Sequence, residues 1–267
     1  MEPQNSDRRE PRRRPTYTIR RIKPSDFSEV AAILAKSMKD DDLYTAVFPR
    51  REEHYDISLD GFLRLTKERY WTPGCVMYVA VTAPDGDNCS HIEKIVGHAS
   101  WKRTGTSPAA QIWTSENEGG WNGLQLSLCR TQDSLARYFQ PNKTIVEKPP
   151  PSPQFDDNFP SSIFPELWYL ATLAVDPEYR GQGIDKLLAQ RGIHHAVEEN
   201  VPLGLESSAR GRKLYDKMGF KLFKTTVIGE MAVPVMVWEP PRPSVETEKA
   251  REWQGMNGTT QIYTRYP

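Results

Sequence analysis

Apolar positions recur along this chain with two different periods. Residues 17–22, YTIRRI, read as a short strand. In PSDFSEVAAILAKSM, Phe27, Val30, Ile33, Leu34 and Met38 recur at helical spacing, with Ser25 or Asp26 as N-cap. Residues 40–50, DDDLYTAVFPR, break the pattern as a loop. Ile57, Phe62, Leu65 and Tyr70 then predict a second helix. Residues 75–83, CVMYVAVTA, are β-branched and aromatic, and EKIVGHASWKR (93–103) is their hairpin partner across the turn-rich PDGDNCSH.

Between residues 104 and 163 the pattern fades. Pro, Ser, Gly and Asn dominate, and EKPPPSPQ reads as extended, polyproline-like chain. A helix over LQLSLCRTQDSLARYF is the exception. Such a long insertion is expected to be a lid or a disordered segment. Its aromatics, Trp113, Trp121, Tyr138 and Phe139, would cover the site as a lid or merely decorate an edge.

Order returns at ELWYLATLAV (166–175), an almost unbroken apolar run that predicts a central strand. A helix over 183–200 follows, its buried stripe begun by Ile184, Leu187 and Leu188, with His195 near that stripe as a core histidine. PLGLES (202–207) is a strand. SARGRKLYDKMGF is a helix stopped by Gly219. KLFKTTVIG and MAVPVMVWEP form a closing antiparallel pair, with Pro234 marking an edge or a bulge. No internal repeat is present.

Composition narrows the class. The 267 residues can bury one sizeable core. They divide into an Arg-rich disordered tail (1–15), a single domain (16–238) carrying the insertion 104–163, and a C-terminal tail (239–267). Lys and Arg total 35, as do Asp and Glu, so net charge argues against nucleic acid as the main partner. The Arg-rich RREPRRRP has two readings, a solvated tail and a nuclear-localisation or RNA-binding arm. Cys75, Cys89 and Cys129 are widely spaced and odd in number, which suits reduced thiols and offers no zinc pattern. The N-terminus lacks the apolar segment of a signal peptide, and no run of roughly 18 apolar residues suggests a membrane span. A cytoplasmic protein is expected, without a membrane partner. The sequence carries no sign of an oligomeric state.

The chemistry concentrates in LAVDPEYRGQGIDKLLAQ (173–190). A strand ends, Asp176-Pro177 turns the chain, and a helix starts at the glycines. A helix N-terminus offers unpaired N–H groups and the positive end of the helix dipole. Gly181 and Gly183 have no side chains to block a phosphate, and Arg180 adds charge. The turn matches neither Walker A nor the Rossmann fingerprint. On its own it is equally a tight structural turn.

Two ordered motifs carry a resemblance. LATLAVDPEYRGQGIDKLL resembles the acetyl-CoA-binding segment of the GNAT superfamily of N-acetyltransferases. That pattern is Arg/Gln-x-x-Gly-x-Gly/Ala after a strand of the form Leu-x-Val-x-Pro. Arg180, Gly183 and the LAVDPEYRG lead-in match, while Asp185 stands where the pattern has Gly or Ala. LESSARGRKLYDKMGF (205–220) resembles the second segment through Leu214, Tyr215, Gly219 and Phe220. The opening RIKPSDFSEVAAILAKSM also resembles the family's first strand and helix. The likeness covers residues 16–103 and 164–238. With its long insertion, the chain looks similar to fungal small-molecule-type members, which points to a small-molecule amine.

The resemblance implies an α/β (α+β) fold: a mixed, mostly antiparallel sheet, helices on both faces, and splayed strands four and five. Acetyl-CoA, the cosubstrate, would sit in that V, with no metal. Backbone groups of Leu173, Ala174 and Val175 would pair with the pantetheine arm. The amides of Gly181, Gln182, Gly183, Ile184 and Asp185 would hold the pyrophosphate beside Arg180. Ser208 stands where the family often has Asn, and reads equally as a helix N-cap. Tyr215 is implied as the general acid that protonates the departing thiolate, with a packed core tyrosine as the alternative. For the general base the candidates are Glu166 and Glu206, each with a structural alternative. Asp41 and Asp42 fall in the loop that often touches substrate in this family, with an acidic solvated turn as the alternative. The implied activity is transfer of an acetyl group to an amine of a small molecule or peptide. A GNAT-like CoA-binding module without activity is the competing reading.

Overall fold

A computed structural model describes residues 16–39, 41, 55–83, 93–116, 120–139, 155–228 and 231–241. Strand β1, Tyr17–Arg21, leads through a 3-10 turn, Pro24–Asp26, into helix α1, Phe27–Ser37. Helix α2, Tyr55–Trp71, precedes β2, Cys75–Thr82, and β3, Ile95–Thr104. Helices α3 (Pro108–Glu116), α4 (Gly120–Phe139) and the short α5 (Phe155–Asn158) come before β4, Leu167–Val175. Then come α6 (Ile184–Glu199), β5 (Leu203–Glu206), α7 (Arg212–Lys217), β6 (Lys221–Ile228) and β7 (Met231–Trp238). The tail over 1–15, Asp42, Cys89, most of the C-terminal tail and EKPPPSPQ lie outside the described residues.

The strands form one sheet in the order β1-β2-β3-β4-β5-β7-β6. β4 and β5 run parallel, and the other neighbouring pairs run antiparallel. Both faces are covered, as the unbroken apolar runs predict. Along β2, Val76, Tyr78 and Ala80 point to the core shared with Ile184 and Leu188 of α6. Met77, Val79 and Val81 point the other way, to Phe27, Val30 and Leu34 of α1 and Phe62 of α2. The period of two puts neighbours on opposite faces, so one strand serves two cores.

Several local expectations change. Asp26 precedes α1, but its carboxylate makes no cap there. It accepts from the Lys23 amide and from Arg20 Nη1, both at 2.7 Å. α7 starts at Arg212, with Gly211 as N-cap, so Ser208 is not that cap. The Ser208 hydroxyl instead accepts from the Gly211 amide at 3.2 Å, closing a turn ahead of the helix. Pro234 is on an internal strand, between β5 and β6, and not on an edge. It falls one residue past Val235, the last β7 residue paired with β5, so its missing N–H breaks no rung of that ladder.

The described residues of the insertion are largely helical and, in part, core. Trp113 of α3 packs edge-on against Trp168 and His195, with ring centroids 5.0 Å apart in each case. Its indole donates to Glu199 at 2.7 Å, as Trp168 does at 3.1 Å. Trp113 is therefore a packing residue and not part of a lid. α4 lies along α2, with Arg130 paired to Glu68 at 3.3 Å, and Trp121 is exposed. The side chains of Tyr138 and Phe139 lie outside the described residues.

Candidate active site

The decisive geometry is in β4. It pairs with β5 at three positions, Trp168–Leu203, Tyr169–Gly204 and Leu170–Leu205. On its other edge Leu170 faces Trp101 and Thr172 faces Ser100, so Ala171 is an extra residue. An extra residue on one strand bends it and sharpens its twist. Here the bend begins where the β5 ladder stops. From residue 172 to 175, β4 keeps β3 on one side and, among the described residues, has no strand on the other. The apolar run shows no trace of this bulge, because Ala171 is as apolar as its neighbours.

A cleft of about 570 Å³ opens along that free edge. Leu173, Ala174 and Val175 form its floor. Ser37, Met38 and Asp41 border it from the end of α1, and Ser208, Leu214 and Tyr215 from the α7 side. Of the acidic pair Asp41 and Asp42, Asp41 is described and borders the cleft.

At one end lie Arg180, Gly181, Ile184 and Asp185. Gly181 and Gly183 have φ of 75° and 81°, and a Cβ on either would meet no atom within 4 Å. Their glycine character thus answers a left-handed backbone that faces open space. The Leu187 amide is bonded to the Gly183 carbonyl at 3.0 Å, so the amides before it precede the helical ladder. The Lys186 amide is taken by Asp185 Oδ1 at 2.8 Å. The other side chains here are committed elsewhere. Arg180 Nη2 donates to the Ser37 carbonyl at 2.9 Å, Gln182 accepts from the Tyr17 hydroxyl, and Ile184 is buried in the core. Gln182 and Ile184 therefore offer backbone groups.

Tyr215 is buried, and its phenol is pushed well above the usual range by burial first and by the Asp185 carboxylate second. Asp185 borders the same cleft as Tyr215.

The two glutamates separate. Glu166 does not line the cleft. It accepts from the Thr106 and Ser107 amides, both at 2.8 Å, and from the Ser107 hydroxyl and Arg103 Nη2, both at 2.6 Å. Burial works to raise its pKa, but these bonds prevail and hold it at about 2. Glu166 is a clamp on the β3–α3 turn, and its expected place among the catalytic candidates is withdrawn. Glu206 does line the cleft, at the end of β5. Its carboxylate accepts from Asn158 Nδ2 at 2.9 Å and from the Tyr169 hydroxyl at 2.5 Å. Nothing in the sequence marks Asn158, which sits in an aperiodic stretch of the insertion.

A family model described as the acetyltransferase (GNAT) family matches residues 151–220, which span α5 to α7. A histone acetyltransferase HPA2-related acetyltransferase from Corynebacterium glutamicum is 18% identical in sequence. The match covers 86% of this chain and 99% of that one, with a TM-score of 0.52. This chain has the GNAT fold. Two further structures are similar at lower TM-scores. Arabidopsis thaliana NAA60 with a bisubstrate analogue is 17% identical over 85% of this chain and 100% of that one, at 0.43. The Drosophila melanogaster polyamine N-acetyltransferase is 12% identical over 84% and 100%, at 0.44. In GNAT-fold terms, the expected mixed sheet with helices on both faces and parting strands four and five is the one observed. Among the described residues no helix is long and apolar enough to cross a membrane, and no group of three His, Cys, Asp or Glu could hold a metal.

Proposed function

We propose that this protein is an N-acetyltransferase that uses acetyl-CoA to acetylate a primary amine of a small molecule or peptide. The observation that carries this is one cleft joining four features: a glycine turn at a helix N-terminus, an unpaired β4 edge, a buried phenol and a carboxylate. These residues suit acetyl-CoA. The turn around Gly181 and Gly183 has open space where side chains would stand, which leaves room for a pyrophosphate at the helix start. The free edge at 172–175 offers peptide groups to an amide-bearing arm, as a missing strand would. When bound, acetyl-CoA supplies an acetyl thioester to the acceptor.

The side chains then handle protons. An amine attacks only when neutral, so Glu206 takes a proton from the acceptor ammonium and passes it to solvent. Tyr215, kept protonated by its burial, donates its hydroxyl hydrogen to the departing sulfur. The second proton shed by the acceptor nitrogen restores that phenol, so protons balance over the cycle.

Thiol release from acetyl-CoA, measured over a panel of primary amines, tests this reading. Turnover is expected from the wild type. Glu206→Gln and Tyr215→Phe should each lower kcat by roughly 10²-fold while keeping acetyl-CoA-dependent thermal stabilisation. Stabilisation without turnover by any amine would leave a CoA-binding module. Absence of stabilisation would remove both.

A further inference from the structure

Asn158 is 2% exposed, borders the cleft, and comes from the insertion, not from the strands and helices that build the rest of the site. Its amide orientation is set by its partner. A carboxylate only accepts, so the group facing Glu206 Oε1 at 2.9 Å is the Nδ2 donor. This leaves Oδ1 as the free end, and Oδ1 is buried with no hydrogen-bond partner. Buried polar atoms are nearly always paired in folded proteins, so an unpartnered acceptor on a residue beside a cleft is a place for a donor from water or from a bound group.

The surroundings make this a rigid position. Phe159, the next residue, is 1% exposed and shares a core with Leu167, Val235 and Val237. Its ring packs on Phe155 and Tyr169 at 5.4 and 5.7 Å. β5 admits that ring because Gly204 lacks a Cβ, which would lie 2.4 Å from Phe159 Cε1. Tyr169, held in the same aromatic cluster, donates to the other oxygen of Glu206. Each carboxylate oxygen thus receives one protein donor and retains lone-pair capacity.

Resting on the transferase reading above, we infer that Asn158 Oδ1 and Glu206 together form the seat for the acceptor's ammonium group. The seat presents three acceptor oxygens and therefore suits an –NH₃⁺ group with three donors. Asn158 selects a primary amine over a substituted one, and Tyr169 positions the carboxylate. The insertion thereby sets acceptor choice through its α5 end, not through an aromatic lid.

Asn158→Leu keeps the branching at Cγ, adds volume and removes both polar atoms. The test compares steady-state kinetics for phenethylamine, butane-1,4-diamine and a free-amino hexapeptide, each against its N-methyl analogue, in wild type and variant. For the wild type, kcat/KM is expected to favour the primary amine at least tenfold. In the variant that preference should collapse toward one, with the amine KM raised at least tenfold and the acetyl-CoA KM within about twofold. Acetyl-CoA-dependent thermal stabilisation of the variant shows that it is folded. If it is not, Asn158→Ala is read the same way, with binding of butane-1,4-diamine to the acetyl-CoA-loaded protein by calorimetry as second readout. A folded variant that retains the primary-amine preference overturns this inference and leaves the transferase standing. Wild-type protein that binds acetyl-CoA but uses none of the amines overturns both.

Discussion

Asp185 stands in the first turn of α6, where a carboxylate is stabilised by the helix dipole and where a pyrophosphate is expected to bind. The structure shows two consequences. Its Oδ1 occupies the Lys186 amide, one of the donors otherwise open to an anion, and its charge reaches Tyr215. Two like charges ~4 Å apart in water repel by about 1 kcal/mol. Asp185→Asn is accordingly expected to tighten acetyl-CoA binding about fivefold, while thermal stability drops slightly as the dipole partner is lost. Calorimetric titration measures this directly. An unchanged or weaker affinity would mean that the carboxylate lies clear of the phosphates.

Among the elements, β4 and α5 do the shaping. The bulge at Ala171 ends the β5 ladder and opens the cleft, so the site exists because one strand holds one residue more than its neighbour. α5 has four residues and little stability of its own. It is fixed by Phe159 sitting over Gly204. Gly204→Ala should therefore force that ring out of its place and lower stability by about 1–3 kcal/mol, the usual cost of overpacking. It should also raise the acceptor KM more than the acetyl-CoA KM, because Asn158 moves with Phe159. Equal effects on both constants would show that α5 is not coupled to the acceptor end.

At the scale of the whole molecule, two histidines buried among the described residues shape the response to acid. His98 and His195 are both held down at about 3, by burial first and then by neighbouring positive charge, Arg69 for His98 and Arg191 for His195. Unfolded, each would titrate near 6.5. Between those values the unfolded chain binds more protons, so stability is full above about pH 6.5 and falls as pH drops toward 3. Glu166 adds to the loss at the low end. Its carboxylate is depressed to about 2 from 4.5, and its contribution disappears as pH falls through that range. Thermal unfolding followed by circular dichroism should show this decline, made shallower by His195→Gln. A melting temperature that stays level from neutral pH to about pH 4 would contradict it.

The sequence by itself determined most of the elements and the glycine turn that starts α6. Period-two and helical apolar spacing delimit β1 to β3, α1, α2 and α6 to within a few residues. Gly181, Gly183 and the Tyr215 helix were legible because each is a local signal: a left-handed turn, a helix start, a glycine stop. What the tertiary structure alone decided depends on pairing between distant segments. The bulge at Ala171 is a difference in register between β3 and β4. The parting of β4 and β5 is the end of a ladder. The division of Glu166 from Glu206 follows from which carboxylate meets Arg103 and which meets the cleft. Asn158 reaches Glu206 across 48 residues of chain because a missing Cβ at Gly204 admits the aromatic ring beside it. Local spacing cannot encode such a meeting, since it arises from side chains brought together only by packing.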